Sequence, residues 1–268
     1  MRGLFTSGSG LKLNSDIRAL SILLCLVLTT LVIFSAERKF LIAQPRGSQT
    51  SAYETLPWKD KILLLVEDFE KLENDTATLR QANFFNYGSV LLGIDKQKGD
   101  HTVLSGSADL KVAWKGGKEN YGGWGKGVGQ NLDLDEKKNC FTFHFYNPKN
   151  NGSDFVKIVI QEDDNDDGIY QADKDDEWAY KAHVSGKDEW QIISIPLRSF
   201  YDNNKGGDGK FNVTKKGGIH NVAFSFEANE RYSAGRMWYF DFICFTSEKI
   251  TAKDKNGKAD MATATSGK

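Results

Sequence analysis

The chain has few cysteines and almost no net charge. Three cysteines in 268 residues are too few for a domain held together mainly by disulfide bonds. Cys140 and Cys244 fall in predicted strands, where we expect separate core thiols. A bridge between them, formed in an oxidising compartment, is the alternative. Cys25 lies in an apolar run near the N-terminus. The formal net charge of −1 argues against the basic surface by which proteins bind nucleic acid.

The sequence also lacks the short motifs of common catalytic and cofactor sites. It has no Gly-x-Ser-x-Gly elbow, no His-Glu-x-x-His pair, no dinucleotide fingerprint and no phosphate-binding Gly-Lys-Ser/Thr loop. Its four histidines do not form a zinc-ligand spacing with the cysteines. We therefore predict that the protein is not an enzyme. A glycosidase-type pair of carboxylates stays open as the alternative, because the chain has 36 acidic residues.

Short runs of alternating apolar and polar residues are what the sequence does contain. Residues 154–161 place Val156, Ile158 and Ile160 on one face, opposite Lys157 and Gln161. Residues 221–227 place their large apolar side chains on one face, and residues 237–245 are apolar on both faces, which is typical of a central strand. Such runs, separated by turn residues, predict an all-β fold, a jelly-roll β-sandwich spanning residues 61–247. The glycine-rich stretch 116–129 predicts a bulged loop that leads into a strand at 128–134. In residues 140–146, alternation places Phe141, Phe143 and Phe145 on one face and Thr142, His144 and Tyr146 on the other.

An uncharged apolar run occupies residues 19–36, after an N-terminal segment of residues 1–18. As a helix it would be about 27 Å long, the lower limit for crossing a bilayer. A cleaved signal peptide is the alternative, but small residues at the usual cleavage positions fit poorly. We therefore predict a single transmembrane signal anchor before the sandwich, with residues 37–60 as a tether. The tail at 248–268 has almost no large apolar residue and is predicted to be disordered.

Five motifs stand in a fixed order between residues 63 and 245. They are Glu-Asp-Phe-Glu at 67–70, Tyr-Gly-Gly-Trp-Gly at 121–125, Asp-Glu-Trp-Ala-Tyr at 176–180, Trp-Gln-Ile-Ile-Ser-Ile-Pro-Leu-Arg-Ser-Phe at 190–200 and Trp-Tyr-Phe-Asp-Phe-Ile at 238–243. In this order they resemble family 11 carbohydrate-binding modules and the complex I intermediate-associated proteins, which share the galactose-binding-like fold. The first resemblance implies a polysaccharide or oligosaccharide partner. The second implies integral membrane subunits of a respiratory or photosynthetic complex.

The family resemblance also implies a ligand site. It carries over Tyr121 with Trp124, Asp176, and the pair Tyr201 and Asp202. Strand alternation adds outward polar and aromatic positions, which we predict to lie side by side: His144, Tyr146, Gln161, Asn221 and Ser225. Ala223 stands where the family has a histidine, which weakens the expectation of β-glucan specificity. Family context places the module on the periplasmic or extracellular side of the membrane, in a single-pass arrangement that charge counts alone leave undecided.

Two acidic groups are candidate calcium sites. The run at 163–177 begins like an EF-hand loop, but Lys174 occupies the position of the required bidentate glutamate. A calcium-binding loop and a solvated acidic hairpin both stay open there. The family resemblance implies a structural calcium linking the first and last strands, with Asp68, Glu70 and Asp241 as ligands. The alternative is that Asp241 only satisfies backbone groups.

Overall fold

The computed structural model describes residues 56–96, 107–116, 120–152, 154–211, 218–227 and 235–251. Within these ranges no helix is both long and apolar enough to cross a membrane. The predicted anchor at 19–36, the segment before it, most of the tether and most of the tail lie outside the described residues.

The described residues form twelve strands, one short α-helix and three 3₁₀ turns. In chain order the strands are β1 (Ile62–Glu67), β2 (Phe84–Gly88), β3 (Val90–Asp95), β4 (Asp109–Trp114), β5 (Tyr121–Gln130), β6 (Cys140–Tyr146), β7 (Asp154–Glu162), β8 (Glu177–Val184), β9 (Trp190–Pro196), β10 (Tyr201–Asp202), β11 (Ile219–Glu227) and β12 (Met237–Thr246). Helix α1 (Thr76–Gln81) begins after Asp75, whose side chain accepts the Thr78 N–H and thereby caps the helix. The 3₁₀ turns are Lys59–Lys61, Lys149–Asn151 and Leu197–Ser199.

The strands pair antiparallel into two sheets that form a β-sandwich. The first sheet has the order β3-β4-β12-β6-β9, with β1 also paired to β12, and the second has the order β10-β8-β7-β11-β5-β2. The chain passes repeatedly from one sheet to the other, as in a jelly roll. The all-β sandwich predicted from alternation is therefore confirmed.

The core lies between the two sheets and is dominated by aromatic rings. Trp124 is stacked on Phe224, with ring centroids 4.7 Å apart, and meets Phe240 edge-on at 5.0 Å. Rings at these separations gain from both apolar burial and quadrupole geometry. The inward faces predicted for β7 and β11 are confirmed, since their alternate apolar side chains are fully buried: Val156, Ile158, Ile160, Val222, Phe224 and Phe226.

Two local expectations are wrong. The glycine-rich segment is itself strand β5, paired on both edges, and the predicted strand at 128–134 ends at Gln130. Glycine has no side chain, so it hides the period-two pattern that identifies a strand. Strand β6 is buried on both faces, because Trp58 lies against His144 on the outer side with ring centroids 5.6 Å apart. Cys140 and Cys244 are free and buried, as expected.

Strand β12 runs through the middle of the first sheet and changes partner along its length. It pairs with β4 from Met237 to Phe240 and with β1 from Ile243 to Thr246. A register shift against β6 falls between Asp241 and Cys244. This bulge leaves Asp241 at the point where β1 ends and β4 begins.

Candidate functional site

The outer face of the second sheet carries the candidate site, and strand register divides it into rows that run across the strands. The central row consists of Ala179, Val159, Ala223 and Gly125. These residues point away from the core, yet the three with side chains are buried at 0, 7 and 7% exposure and form a cluster apart from the main core. This row of small residues therefore lies lower than the larger side chains on either side, which bury it, and we call the row the trench.

Aromatic side chains stand at both ends of the trench. Tyr201 pairs with Ala179 on the β10 edge, and Phe85 pairs with Gly125 on the β2 edge. Five strand spacings of about 4.8 Å put the two ends roughly 24 Å apart. Among the described residues the most exposed aromatic side chains are Phe85, Tyr121, Phe155 and Tyr201, at 39, 53, 42 and 50%. Their strand positions place all four on this face.

The Ile-Pro-Leu-Arg-Ser-Phe motif explains how Tyr201 reaches the trench. Pro196 ends β9 in the first sheet, and the following 3₁₀ turn carries the chain across to the second sheet. Leu197 and Phe200 are buried at this corner, and Phe200 packs against Tyr180 with ring centroids 5.7 Å apart. The next residue, Tyr201, pairs with β8. The motif therefore forms a corner between the two sheets and places the Tyr201 ring at one end of the trench.

Two glycines of β5 place the aromatic rings of β2. A Cβ atom at Gly125 would lie 2.4 Å from Phe85 Cζ, and one at Gly123 would lie 2.4 Å from Tyr87 Oη. Both rings therefore lie across the glycine strand towards β11. The Tyr87 hydroxyl reaches Ser225 Oγ at 2.6 Å. Burial raises the pKa of Tyr87.

One wall of the trench is a chain of hydrogen-bonded amides that ends on a carboxylate. Asn221 Nδ2 donates to Gln161 Oε1 at 3.0 Å, and Gln161 Nε2 donates to Glu177 Oε2 at 2.8 Å. Asn203 Nδ2 and the Tyr170 hydroxyl also donate to Glu177. This network fixes the orientation of each amide, which is the preorganisation that a specific polar site needs. The other wall contains Lys181, Lys157 and Ser225.

The structure brings five of the predicted ligand residues to this face and places the others elsewhere. Tyr121, Gln161, Tyr201, Asn221 and Ser225 project from the outer face. Asp202, paired with the core-facing Trp178, points to the opposite side of the sheet edge. Asp176 is buried and accepts the backbone N–H groups of Asp208, Gly209 and Lys210.

Three other predicted ligand residues are buried and lie away from this face. Trp124 is a core residue at 0% exposure. His144 and Tyr146 belong to the first sheet, where Trp58 contacts the histidine and Tyr146 packs between Trp190 and Tyr239. Burial lowers the pKa of His144 to about 3. Strand alternation placed His144 and Tyr146 on the side of β6 that faces away from the core, but it could not show that other residues cover this side of the first sheet.

Sequence reasoning missed Phe85, Tyr87 and Phe155. The alternation of Phe84, Phe85, Asn86 and Tyr87 is a usable signal, since Phe84 is in the core and the two odd-numbered aromatics face outward. The run is only five residues long. Nothing in it indicates which sheet it joins.

The bulge in β12 has features of a cation site. Asp241 Oδ1 accepts the Phe242 N–H at 2.8 Å, whereas its buried Oδ2 has no hydrogen-bond partner. Burial raises the pKa of Asp241 well above its usual range, and the carboxylates of Asp109, Glu70 and Asp68 raise it further. A bound cation would supply the positive charge and the bonding partner that this carboxylate oxygen lacks.

The backbone around this bulge is strained. Phe69 and Phe242 have φ values of 60° and 45°, a region that residues with side chains rarely adopt and that is often found at functional sites. Glu70, the third predicted calcium ligand, turns its carboxylate to the backbone N–H groups of Ser107 and Ala108. Among the predicted ligands, Asp241 therefore fits a cation site better than Glu70 does.

A second group of carboxylates lies at the end of the β7–β8 hairpin. The oxygens of Glu162, Asp164 and Asp176 lie within 4.8 Å of one another and could hold a cation. Burial, followed by repulsion from neighbouring carboxylates, raises the pKa of Asp164 to about 6. The Asp164 carboxylate also accepts the Asp176 N–H at 2.7 Å. The acidic hairpin is therefore tied together by its own backbone hydrogen bonds.

Comparison with known proteins finds structural neighbours only. No protein-family model and no curated protein matches the sequence. Similar solved structures include a family 11 carbohydrate-binding module from Clostridium thermocellum in complex with a β-1,3-1,4-mixed-linked tetrasaccharide, at 17% identity and a TM-score of 0.46, covering 71% of this chain and 96% of that one. A family 22 xylan-binding domain from Paenibacillus barcinonensis has 11% identity and a TM-score of 0.41, with 71 and 98% covered.

An exo-β-agarase has 12% identity and a TM-score of 0.45, and the match covers 73% of this chain and 26% of the agarase. Family 11 modules, which the sequence motifs resemble, are thus among the structural neighbours. At such low identity and TM-score, the function has to be argued from the site.

Proposed function

We propose that the protein is a non-catalytic carbohydrate-binding β-sandwich whose ligand lies along the trench of the second sheet. The observation that carries this proposal is the collection of exposed aromatic rings on one face, around a floor of small residues. A pyranose presents C–H groups that stack on aromatic faces and hydroxyls that bond to planar polar groups. The trench offers both, with Tyr201 and Phe85 at its ends and the amides of Gln161 and Asn221 on one wall.

The carboxylates of this face argue against glycan cleavage. Glu177 and Glu227 lie at opposite ends of the outward rows, and the three row spacings between them amount to about 20 Å at roughly 3.3 Å per residue. Glycosidases hold their two carboxylates about 5 to 10 Å apart. Glu177 is also engaged by three side chains. These two groups do not form a hydrolytic pair.

A glycan array probed with the full-length protein in a mild non-ionic detergent tests the proposal. The Tyr201→Ala and Phe85→Ala variants should each lose affinity for a glycan found in this way by roughly tenfold or more, as aromatic anchors do at binding surfaces. Leu91→Ala is the matched control, because Leu91 is 51% exposed on the first sheet. Absence of any bound glycan, or equal losses in all three variants, would count against the proposed site.

We also propose that calcium binds at the β12 bulge, with Asp241 and Asp68 as ligands and Glu70 and Asp109 close by. Oxygen ligands of this kind suit calcium, and the ion would link β1 to β12. Calcium should raise the unfolding temperature of the wild type, since a ligand that binds only the folded state stabilises it. The Asp241→Asn variant should not respond. An equal response would place the ion elsewhere, with the hairpin around Asp164 as the next candidate.

We further propose that residues 19–36 anchor the protein in a membrane, with the sandwich on the periplasmic or extracellular side. The uncharged length of this run supports the proposal. The protein should resist carbonate extraction, and the sandwich should be accessible to protease added from outside. Gentle solubilisation and pull-down separate the two candidate roles: recovery of stoichiometric integral membrane subunits would favour an accessory subunit over a glycan receptor.

A further inference from the structure

Two lysines stand directly opposite each other on the face that carries the trench. Lys157 on β7 pairs in register with Lys181 on β8, and both project outward. Directly opposed side chains have Cβ atoms about 5 Å apart, and like charges in that arrangement destabilise a sheet. The repulsion between the two lysines destabilises the sheet least where a negative charge neutralises it.

Carboxylates of the described residues neutralise only one of the two. Lys181 Nζ lies 3.6 Å from Glu227 Oε2 and 5.1 Å from the centre of the Phe155 ring. Lys157 Nζ instead donates to Asn203 Oδ1 at 3.2 Å, which is a neutral amide oxygen. The Lys157 side chain is half-buried and, within the part of the chain that the structure describes, pairs with no carboxylate, so a positive charge stays beside the trench.

The two walls of the trench therefore differ in character. On one side of the floor, Lys157 is followed in register by Ser225, so this wall presents hydrogen-bond donors and positive charge. On the other side, Gln161 and Asn221 present neutral amides that are already held in place, and the one charged group among the described residues of that row is Glu177, which Gln161 and two further side chains already engage. A chain lying on the small-residue floor meets a cationic wall along one edge only.

From this asymmetry, and resting on the carbohydrate-binding function proposed above, we infer that the ligand is an acidic glycan. Its carboxylate or sulfate groups lie along the edge that faces Lys157 and Lys181, and its neutral hydroxyls face the amide wall. Each acidic group accepts a charge-assisted hydrogen bond from an ammonium group, which is stronger than a bond between neutral partners. The exposed Glu227 limits this attraction by occupying Lys181.

Matched glycan pairs test the inference with the full-length protein in non-ionic detergent. Oligogalacturonate and its methyl ester differ only at the carboxyl group, which is charged in the first and a neutral ester in the second, and a sulfated galactan and its desulfated form differ only in sulfate. At least one charged member should bind at least tenfold more tightly than its neutral counterpart, and added salt should reduce the difference. The pair that shows the preference identifies the acidic group.

Three variants complete the test. Lys157→Gln should weaken binding of the preferred charged glycan by roughly tenfold or more, the usual range for a lost hydrogen bond to a charged group. Glu227→Gln should strengthen it a few-fold, because Lys181 is then free. Lys137→Gln removes the same charge from an exposed loop outside the second sheet and should leave binding unchanged.

The failures are distinguishable. Binding of neutral glycans with no preference for either charged member overturns the acidic ligand and leaves the carbohydrate-binding function standing. The same conclusion follows if Lys157→Gln and Lys137→Gln behave alike. If no glycan binds at all, both proposals fall.

Discussion

Replacing Gly123 with alanine tests the arrangement of the aromatic face without assuming any ligand. The new Cβ would lie 2.4 Å from Tyr87 Oη and 2.5 Å from the carbonyl oxygen of Phe224. The tyrosine can swing away, but the carbonyl belongs to β11, which is paired on both edges. Overpacking of this kind costs about 1–3 kcal/mol. Loss of the hydrogen bond from Tyr87 to Ser225 adds about 0.5–1.5 kcal/mol.

Gly127→Ala is the matched control, on the same strand and the same face. Its Cβ would meet Asn83 Cβ at 3.3 Å and Asn221 Oδ1 at 3.6 Å, contacts that a small adjustment relieves. Where alanine fits, it gains about 0.4–1 kcal/mol by restricting the unfolded chain. We therefore expect the free energy of unfolding to change by less than about 1 kcal/mol in this variant.

Thermal unfolding followed by tryptophan fluorescence measures the difference. For a domain of this size about 1 kcal/mol corresponds to 2–4 °C, so Gly123→Ala should unfold roughly 3 to 18 °C below the wild type. Adding Tyr87→Ala to Gly123→Ala should cost less than the sum of the single changes, because the tyrosine contact is shared. Equal unfolding temperatures for the Gly123 and Gly127 variants would refute the close approach of Tyr87 and Phe224 to β5.

Three further predictions concern buried titratable groups. Burial raises the pKa of Asp241 in the folded state, so the wild type loses stability as the pH rises and this carboxyl group ionises. In chemical denaturation with EDTA present, Asp241→Asn should therefore lose less stability than the wild type between pH 5 and 8. Parallel stability curves for the two proteins would contradict this. Burial lowers the pKa of His144 from 6.5 to about 3, so the free energy of unfolding should fall below about pH 6.5, by up to about 1.4 kcal/mol per pH unit. His144→Gln should reduce this dependence of stability on pH. An unchanged slope would show that other groups dominate. Burial raises the pKa of Cys140 and Cys244, so iodoacetamide at pH 8 should modify these thiols only in denaturant. Peptide mass spectrometry measures the modification, and rapid modification of the native protein would be inconsistent with their burial.

Prediction from the sequence succeeded where alternation was clear and failed where a pattern was hidden or a face was covered. The inward residues of β7 and β11 follow directly from their period-two patterns, and the central position of β12 follows from its apolar residues on both faces. Trp124 was predicted as a ligand residue from the family resemblance, and its glycine neighbours carry no hydropathy signal that would have placed it in the core. His144 was predicted to be exposed because it lies on the outward side of its strand. In the structure Trp58, which is distant in sequence, lies over it.

Local sequence decides which side of a strand each residue occupies, because consecutive side chains alternate whatever the strand pairs with. It therefore sufficed for the two-layered all-β fold and for the outward position of Gln161, Asn221 and Ser225. Which outward residues become neighbours depends on strand order and register, and these are set by pairing between segments far apart in the chain. Only that pairing lines Ala179, Val159 and Ala223 into a trench between aromatic ends and leaves a lysine along one of its walls.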